Sequence, residues 1–205
     1  MSVAEVLAQY RKDVSDSNKY LFEAFRQNPD GDYFLDQSHR QFIVDAAVLK
    51  FFKAWETFLE SIFKCFLLGE STLQGTTIKT YAIARDENHA IRLLIGVNTY
   101  FDWSNHEKVI QLSKLYLEES NIVESEIKKI IQHLKDLRII RNAAAHLTAT
   151  TRIPLESLYQ RLTGKQIRDV DLSKVISLKE SSTTLTYWDF YQKILDIVAE
   201  NIANG

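Results

Sequence analysis

Apolar side chains recur along this chain at intervals of three and four, the spacing that places them on one face of a helix. Val3, Val6, Leu7, Tyr10 and Val14 open the pattern, and Leu21, Phe22 and Phe25 carry it to the turn signal Asn28-Pro29-Asp30-Gly31. Ser38 and Gln41 then have the spacing of a capping box, in which each side chain satisfies a free amide at a helix start. A long second helix is expected from there to Gly69. Val48, Phe51, Phe52, Trp55, Phe58, Leu59, Ile62, Phe63 and Phe66 give it an apolar stripe so broad that a helix-helix core is needed to bury it. Trp55 reads as a packing anchor within that core.

The polar, hydroxyl-rich stretch from Ser71 to Thr80 reads as a loop, followed by a short helix over Asn88 to Ile95. Ser104 and Glu107 repeat the capping-box spacing ahead of Val109, Leu112, Leu115 and Tyr116. Ile127, Ile130, Ile131, Leu134, Leu137 and Ile140 predict one helix from near Glu124 to about Leu147. Beyond it the pattern weakens: Thr148 to Thr151 is β-branched and polar, Pro154 suits the start of a short helix, and Gly164 interrupts again. Val175 to Leu178 and Thr183 to Tyr187 have the composition of a small β-hairpin turning at Glu180-Ser181-Ser182. A last helix is expected over Trp188 to Ile202, with Phe190, Ile194, Ile197, Val198 and Ile202 as its buried face.

Composition sharpens this into an all-α expectation. Only two prolines and six glycines punctuate 205 residues, too few for a many-stranded sheet, and the length suits a single domain over residues 1–205. The single cysteine, Cys65, sits in an apolar stretch where a buried, inert thiol is expected and no internal disulfide is available. No apolar run approaches the roughly 20 residues that span a bilayer, and Met1 to Glu5 has none of the basic and apolar regions of a leader peptide. A cytoplasmic chain without a membrane partner is therefore expected.

Net charge is -2, which does not announce a general nucleic-acid binder. Locally the balance differs: Lys128, Lys129, Lys135, Arg138, Arg141 and Arg152 face one acid, Asp136, between residues 128 and 152. That excess suits a polyanion, and equally a solvated helix face. His39, His89, His106 and His133 have no companion at metal-ligand spacing, and no glycine-rich phosphate loop occurs, so no metal and no nucleotide cofactor is expected.

His146 differs because three alanines separate it from Arg141-Asn142. Alanines keep a helix strong while leaving room for another helix or a substrate backbone to approach. The same residues also suit a tight helix crossing, with Arg141 reaching solvent and His146 near a helix C-terminus. At about 100° per residue, Asn142 and His146 share a face, whereas Arg141 and His146 lie roughly 140° apart, so one helix does not close a compact Arg-His pair.

Arg141-Asn142-x-x-x-His146, late in a helical chain after an apolar stripe, resembles the Arg-x(4 to 6)-His signature of the HEPN superfamily. The helical layout and the long aromatic helix carrying Trp55 resemble it too, without singling out a subfamily. The resemblance implies an HEPN-like helical bundle acting as a metal-independent endoribonuclease in a toxin-antitoxin or phage-defence setting. A homodimer would then gather two copies of the motif around one phosphate of RNA, and an antitoxin or regulatory protein is an implied partner. His146 would serve as general acid or base while the ribose 2′-hydroxyl attacks phosphorus. Arg141 would stabilise developing charge through its planar fork of donors. Asn142 would orient His146 or the phosphate, and Arg138, one turn earlier, would hold the RNA backbone.

Some relatives add an acid from an earlier helix, a role open to Glu56 or Glu60. Another branch, paired with a nucleotidyltransferase, carries a tyrosine soon after the histidine, where this chain has Leu147-Thr148-Ala149. Two further readings remain: a non-catalytic HEPN-like module for dimerisation or RNA binding, and a ligand-binding bundle suggested by the aromatics, which their helical spacing assigns to core.

Overall fold

The computed structural model describes residues 1–146 and 148–205. The fold is all-α. Among the described residues the helices are α1 (Val3–Ala24), α2 (Gln37–Leu67), α3 (Glu87–Ile95), α4 (His106–Tyr116), α5 (Ile122–Lys129), α6 (Ile131–Ala145), α7 (Ala149–Thr163), α8 (Leu172–Ser177) and α9 (Tyr187–Asn204). Extended pairing is confined, among those residues, to isolated antiparallel bridges. No helix is long and apolar enough to cross a membrane.

Several helix starts differ from the predicted ones by a residue or two. Asp36, not Ser38, caps α2, accepting the His39 amide at 3.0 Å. Asn105, not Ser104, caps α4, accepting the Lys108 amide at 3.2 Å. Asp and Asn are as good at this position as Ser, and capping-box spacing alone does not choose among adjacent candidates.

The predicted single helix from Glu124 is two. Asn121 caps α5 through the Glu124 amide, and the helix stops at Ile130, whose φ of -113° and ψ of 15° leave the helical region. The Ile130 amide reaches back to Ile127, three residues away, and α6 restarts at Ile131. Two successive β-branched residues propagate a helix poorly, which makes this the weak point of the run. The far end, expected at Leu147, falls on a residue outside the described ones; α6 itself ends at Ala145.

Helix α7 starts five residues before Pro154 because the Thr148 amide finds the Thr151 hydroxyl at 3.0 Å, a local cap that outweighs the β-branched composition. The first arm of the expected hairpin is instead helix α8, capped by Asp171 at the Lys174 amide. Pairing across Glu180-Ser181-Ser182 reduces to one bridge between Lys179 and Thr186. Helix α9 buries Tyr191, Leu195, Val198 and Ile202, while Ile197 is exposed and Phe190 and Ile194 are half-buried, so its predicted stripe was partly out of register.

The chain divides into two compact units. The first comprises Met1–Arg11, Ala54–Ile131 and Ile194–Gly205, and the second Lys12–Lys53 and Gln132–Lys193. In the first unit Tyr10, Trp55 and Phe58 form an aromatic cluster, with Trp55 stacked on Phe58 at 5.6 Å between centroids. Phe63 packs on Trp103 at 5.5 Å. Arg11 ties α1 to α9 through Asp196 and Glu200, each at 2.7 Å. Buried Glu126 is answered by Lys129 and by Asn201 at 2.8 Å. Cys65 is buried as expected, and burial pushes its thiol up to about 11, which keeps it protonated and unreactive.

In the second unit Phe51 packs against Trp188 at 5.3 Å, and the Trp188 indole donates to Asn18 Oδ1 at 2.7 Å. Burial raises the Asp45 carboxyl to about 6 from an ordinary 3.8; the Gln41 amide at 2.7 Å opposes the shift and nearby Asp171 adds to it.

Two outcomes follow from this packing. Phe63 is fully buried, so Phe63→Ala should cost about 3–5 kcal/mol, read as a lowered urea midpoint. A carboxyl with a raised folded pKa takes up a proton on folding, so its contribution is present below pH 3.8 and lost as pH rises through about 6. Asp45→Asn, which keeps an acceptor for Gln41, should therefore raise stability at neutral pH by about 1–2 kcal/mol and change nothing in strong acid. Equal gains at both pH values would contradict the assignment.

Candidate functional site

Helix α6 is built with its apolar residues inward: Leu134, Leu137, Ile140, Ala143 and Ala144 are all buried. Arg138, Arg141 and Asn142 are consequently half-buried along its flank, and Lys135 is exposed. The alanines do what their size allows, since Ala143 and Ala144 sit at the buried face where larger side chains would need more room.

The acid of this basic segment is turned inward. Asp136 is only 2% exposed, and three helices supply its partners. Gln132 of α6 donates to Oδ1 at 3.0 Å, Arg161 of α7 pairs with the same oxygen, and the Tyr191 hydroxyl of α9 lies 3.4 Å from Oδ2. Proximity of Asp136 raises the Arg161 pKa above its usual range, and burial foremost drives the Tyr191 phenol upward. Sequence reading counted Asp136 as a charge opposing the surrounding bases and missed this cluster. Its one visible signal was a lone acid in a segment otherwise positive.

Sequestering Asp136 changes the charge balance outside. Lys128 and Lys129 are matched by Glu124 and Glu126, and Arg152 by Asp169. Lys135, Arg138 and Arg141 have no carboxylate partner among the described residues. The local positive excess thus narrows from six residues to three, all on α6.

At the end of that helix the motif residues come together only in part. Arg141 Nη1 donates to Asn142 Oδ1 at 3.3 Å. The His146 amide donates to the Asn142 carbonyl at 3.0 Å, continuing the helical hydrogen-bond pattern one residue past α6. Asn142 and His146 are therefore one turn apart, as their spacing predicted. His146 is exposed, and its ring has no hydrogen-bond partner among the described residues. Its carbonyl accepts from Thr151 Oγ1, which pins the backbone of the turn into α7 while leaving the imidazole free. No hydrogen bond joins Arg141 to His146 among the described residues.

Chemically, this is a set of donors and one acid-base group. Two unneutralised guanidinium groups and a carboxamide suit phosphate oxygens, and a solvent-accessible imidazole can take or give a proton. No group of histidine, cysteine and carboxylate side chains with metal-holding geometry occurs among the described residues. Glu56 and Glu60 both belong to the other compact unit, where Glu60 pairs with Lys64 at 3.4 Å. No protein-family model, no curated protein and no solved structure matches this chain.

The buried carboxylate makes a direct prediction. Asp136→Ala leaves the Arg161 and Tyr191 donors without their acceptor and should cost about 2–4 kcal/mol in urea denaturation. Asp136→Asn keeps an acceptor and should cost less. A variant with alanine as stable as the parent would mean that solvent already satisfies these groups.

Proposed function

We propose that the chain is an HEPN-like, metal-independent endoribonuclease in which two copies join their α6 ends around one RNA phosphate. The observation that carries this reading is the uncompensated positive flank of α6, with Arg138, Arg141 and Asn142 leading to an exposed, unpartnered His146. Dimerisation enters because Arg141 and His146 of one chain diverge around the helix axis, so a compact Arg-His arrangement requires a second copy related by a two-fold. Ile153, 65% exposed at the start of α7, offers apolar surface beside the turn that carries His146. The toxin-antitoxin or phage-defence setting, with its antitoxin or regulatory partner, rests on the motif resemblance alone.

In this reaction an imidazole takes the proton of a ribose 2′-hydroxyl. The 2′-oxygen bonds to the adjacent phosphorus and the bond to the 5′-oxygen breaks. That oxygen leaves with a proton supplied by an acid, in this arrangement the second histidine. Arg141 offsets charge on the non-bridging oxygens, Asn142 holds Arg141 and the phosphate in register, and Arg138 grips the neighbouring backbone. The products are a 2′,3′-cyclic phosphate and a 5′-hydroxyl.

Incubation of the purified protein with a mixed RNA pool in chelator should yield discrete ends bearing 2′,3′-cyclic phosphate. His146→Ala should lower that cleavage by about a hundredfold or more with fold and dimer retained. Cleavage unchanged in His146→Ala would remove this residue from the mechanism. A folded, dimeric parent that cuts nothing, and whose association or RNA binding weakens in Arg141→Ala, would instead support a non-catalytic module.

A further inference from the structure

The first unit holds a cavity remote in sequence from the α6 motif. It occupies about 440 Å³ between the loop after α3 and one side of α4, within the size range of small-molecule sites. Its walls combine three kinds of chemistry. Tyr100 and Phe101 supply aromatic rings, and Tyr100 is 72% exposed. Asn98 and Gln111 supply carboxamides, and Lys108 supplies a cation.

The polar groups are largely uncommitted. Asn98 Nδ2 donates to the Ile95 carbonyl at 3.3 Å, which leaves its Oδ1 as an acceptor. The Gln111 and Lys108 side chains have no hydrogen-bond or ion-pair partner among the described residues. Asp102 is the one acid on the wall, and its Oδ1 is occupied by the Ser104 hydroxyl at 2.5 Å. The same loop also borders a second, smaller void of about 140 Å³, whose walls include Glu60, Leu94, Tyr100, Phe101 and Trp103.

We propose that this cavity binds a ribonucleoside monophosphate unit, with the base against Tyr100 and the phosphate at Lys108. A flat ring with donors and acceptors on its edge is what an exposed aromatic, the Gln111 carboxamide and the open Asn98 Oδ1 recognise together: stacking supplies affinity, and the polar groups read the edge. An ammonium on a flexible stem takes the phosphate as a point charge. The second oxygen of Asp102 accepts from a ribose hydroxyl, which favours a sugar between the two ends. The unit arrives either as a free nucleotide or as one residue of an RNA chain. This inference does not depend on cleavage at His146.

Calorimetric titration with each of the four ribonucleoside 5′-monophosphates tests it, beside nucleoside alone and inorganic phosphate alone. At least one monophosphate should bind saturably, with nucleoside and phosphate each about tenfold weaker or more. Lys108→Ala and Gln111→Ala, both at exposed positions of α4, should keep the fold. Lys108→Ala should bring the monophosphate down to the nucleoside's affinity, and Tyr100→Ala should weaken both together. A fluorescent single-stranded tetraribonucleotide, titrated into the His146→Ala protein to avoid cutting, separates the sources. Binding tighter than any monophosphate and equally sensitive to Lys108→Ala and Tyr100→Ala assigns the cavity to an RNA chain. Absence of saturable binding of every monophosphate and of the tetranucleotide up to millimolar concentration overturns the proposal. So does binding that neither substitution changes.

Discussion

A carboxylate taken out of water must be answered by donors, and Asp136 is answered from three helices at once. Gln132 belongs to its own helix, Arg161 to α7 and Tyr191 to α9, so the positions of all three are coupled to one buried charge. The requirement is strict in one direction only. Apolar residues in place of the whole cluster would pack as well, but removing a single partner strands the others. This constraint sets which flank of α6 faces outward, and hence where Arg138, Arg141 and Asn142 stand.

Charge on the surface of the second unit is thereby linked to burial. With Asp136 inside and Arg152 held by Asp169, Lys135, Arg138 and Arg141 on α6 have no carboxylate partner among the described residues. A guanidinium fork fits the geometry of phosphate oxygens. The turn that follows holds the His146 backbone through Asn142, Thr148 and Thr151, and the ring has no hydrogen-bond partner among the described residues.

The first unit distributes its polar groups differently. There Glu126 is buried and matched, Arg11 is matched twice, and Lys108 and Gln111, whose side chains have no partner among the described residues, line the cavity beside α4. Both stand beside an exposed Tyr100, and a ligand there would displace no internal hydrogen bond or ion pair of their side chains.

The sequence by itself determined that the chain is helical and where most helices lie, because three-and-four spacing of large apolar residues is a local property with a single low-energy solution. The α2 stripe shows this best: Phe51, Trp55, Phe58, Ile62, Phe63 and Phe66, read from spacing alone, are all buried. It also determined that Asn142 and His146 stand one turn apart. Tertiary structure decided the rest. Val175 and Ile176 suit a strand or a short buried helix equally, and packing in the second unit chose α8. The register of α9, with Tyr191 and Leu195 inward in place of Ile194 and Ile197, depended on neighbours far away in sequence. The inward turn of Asp136 was invisible for the same reason, since a charge is buried only when partners 25 and 55 residues away arrive to meet it.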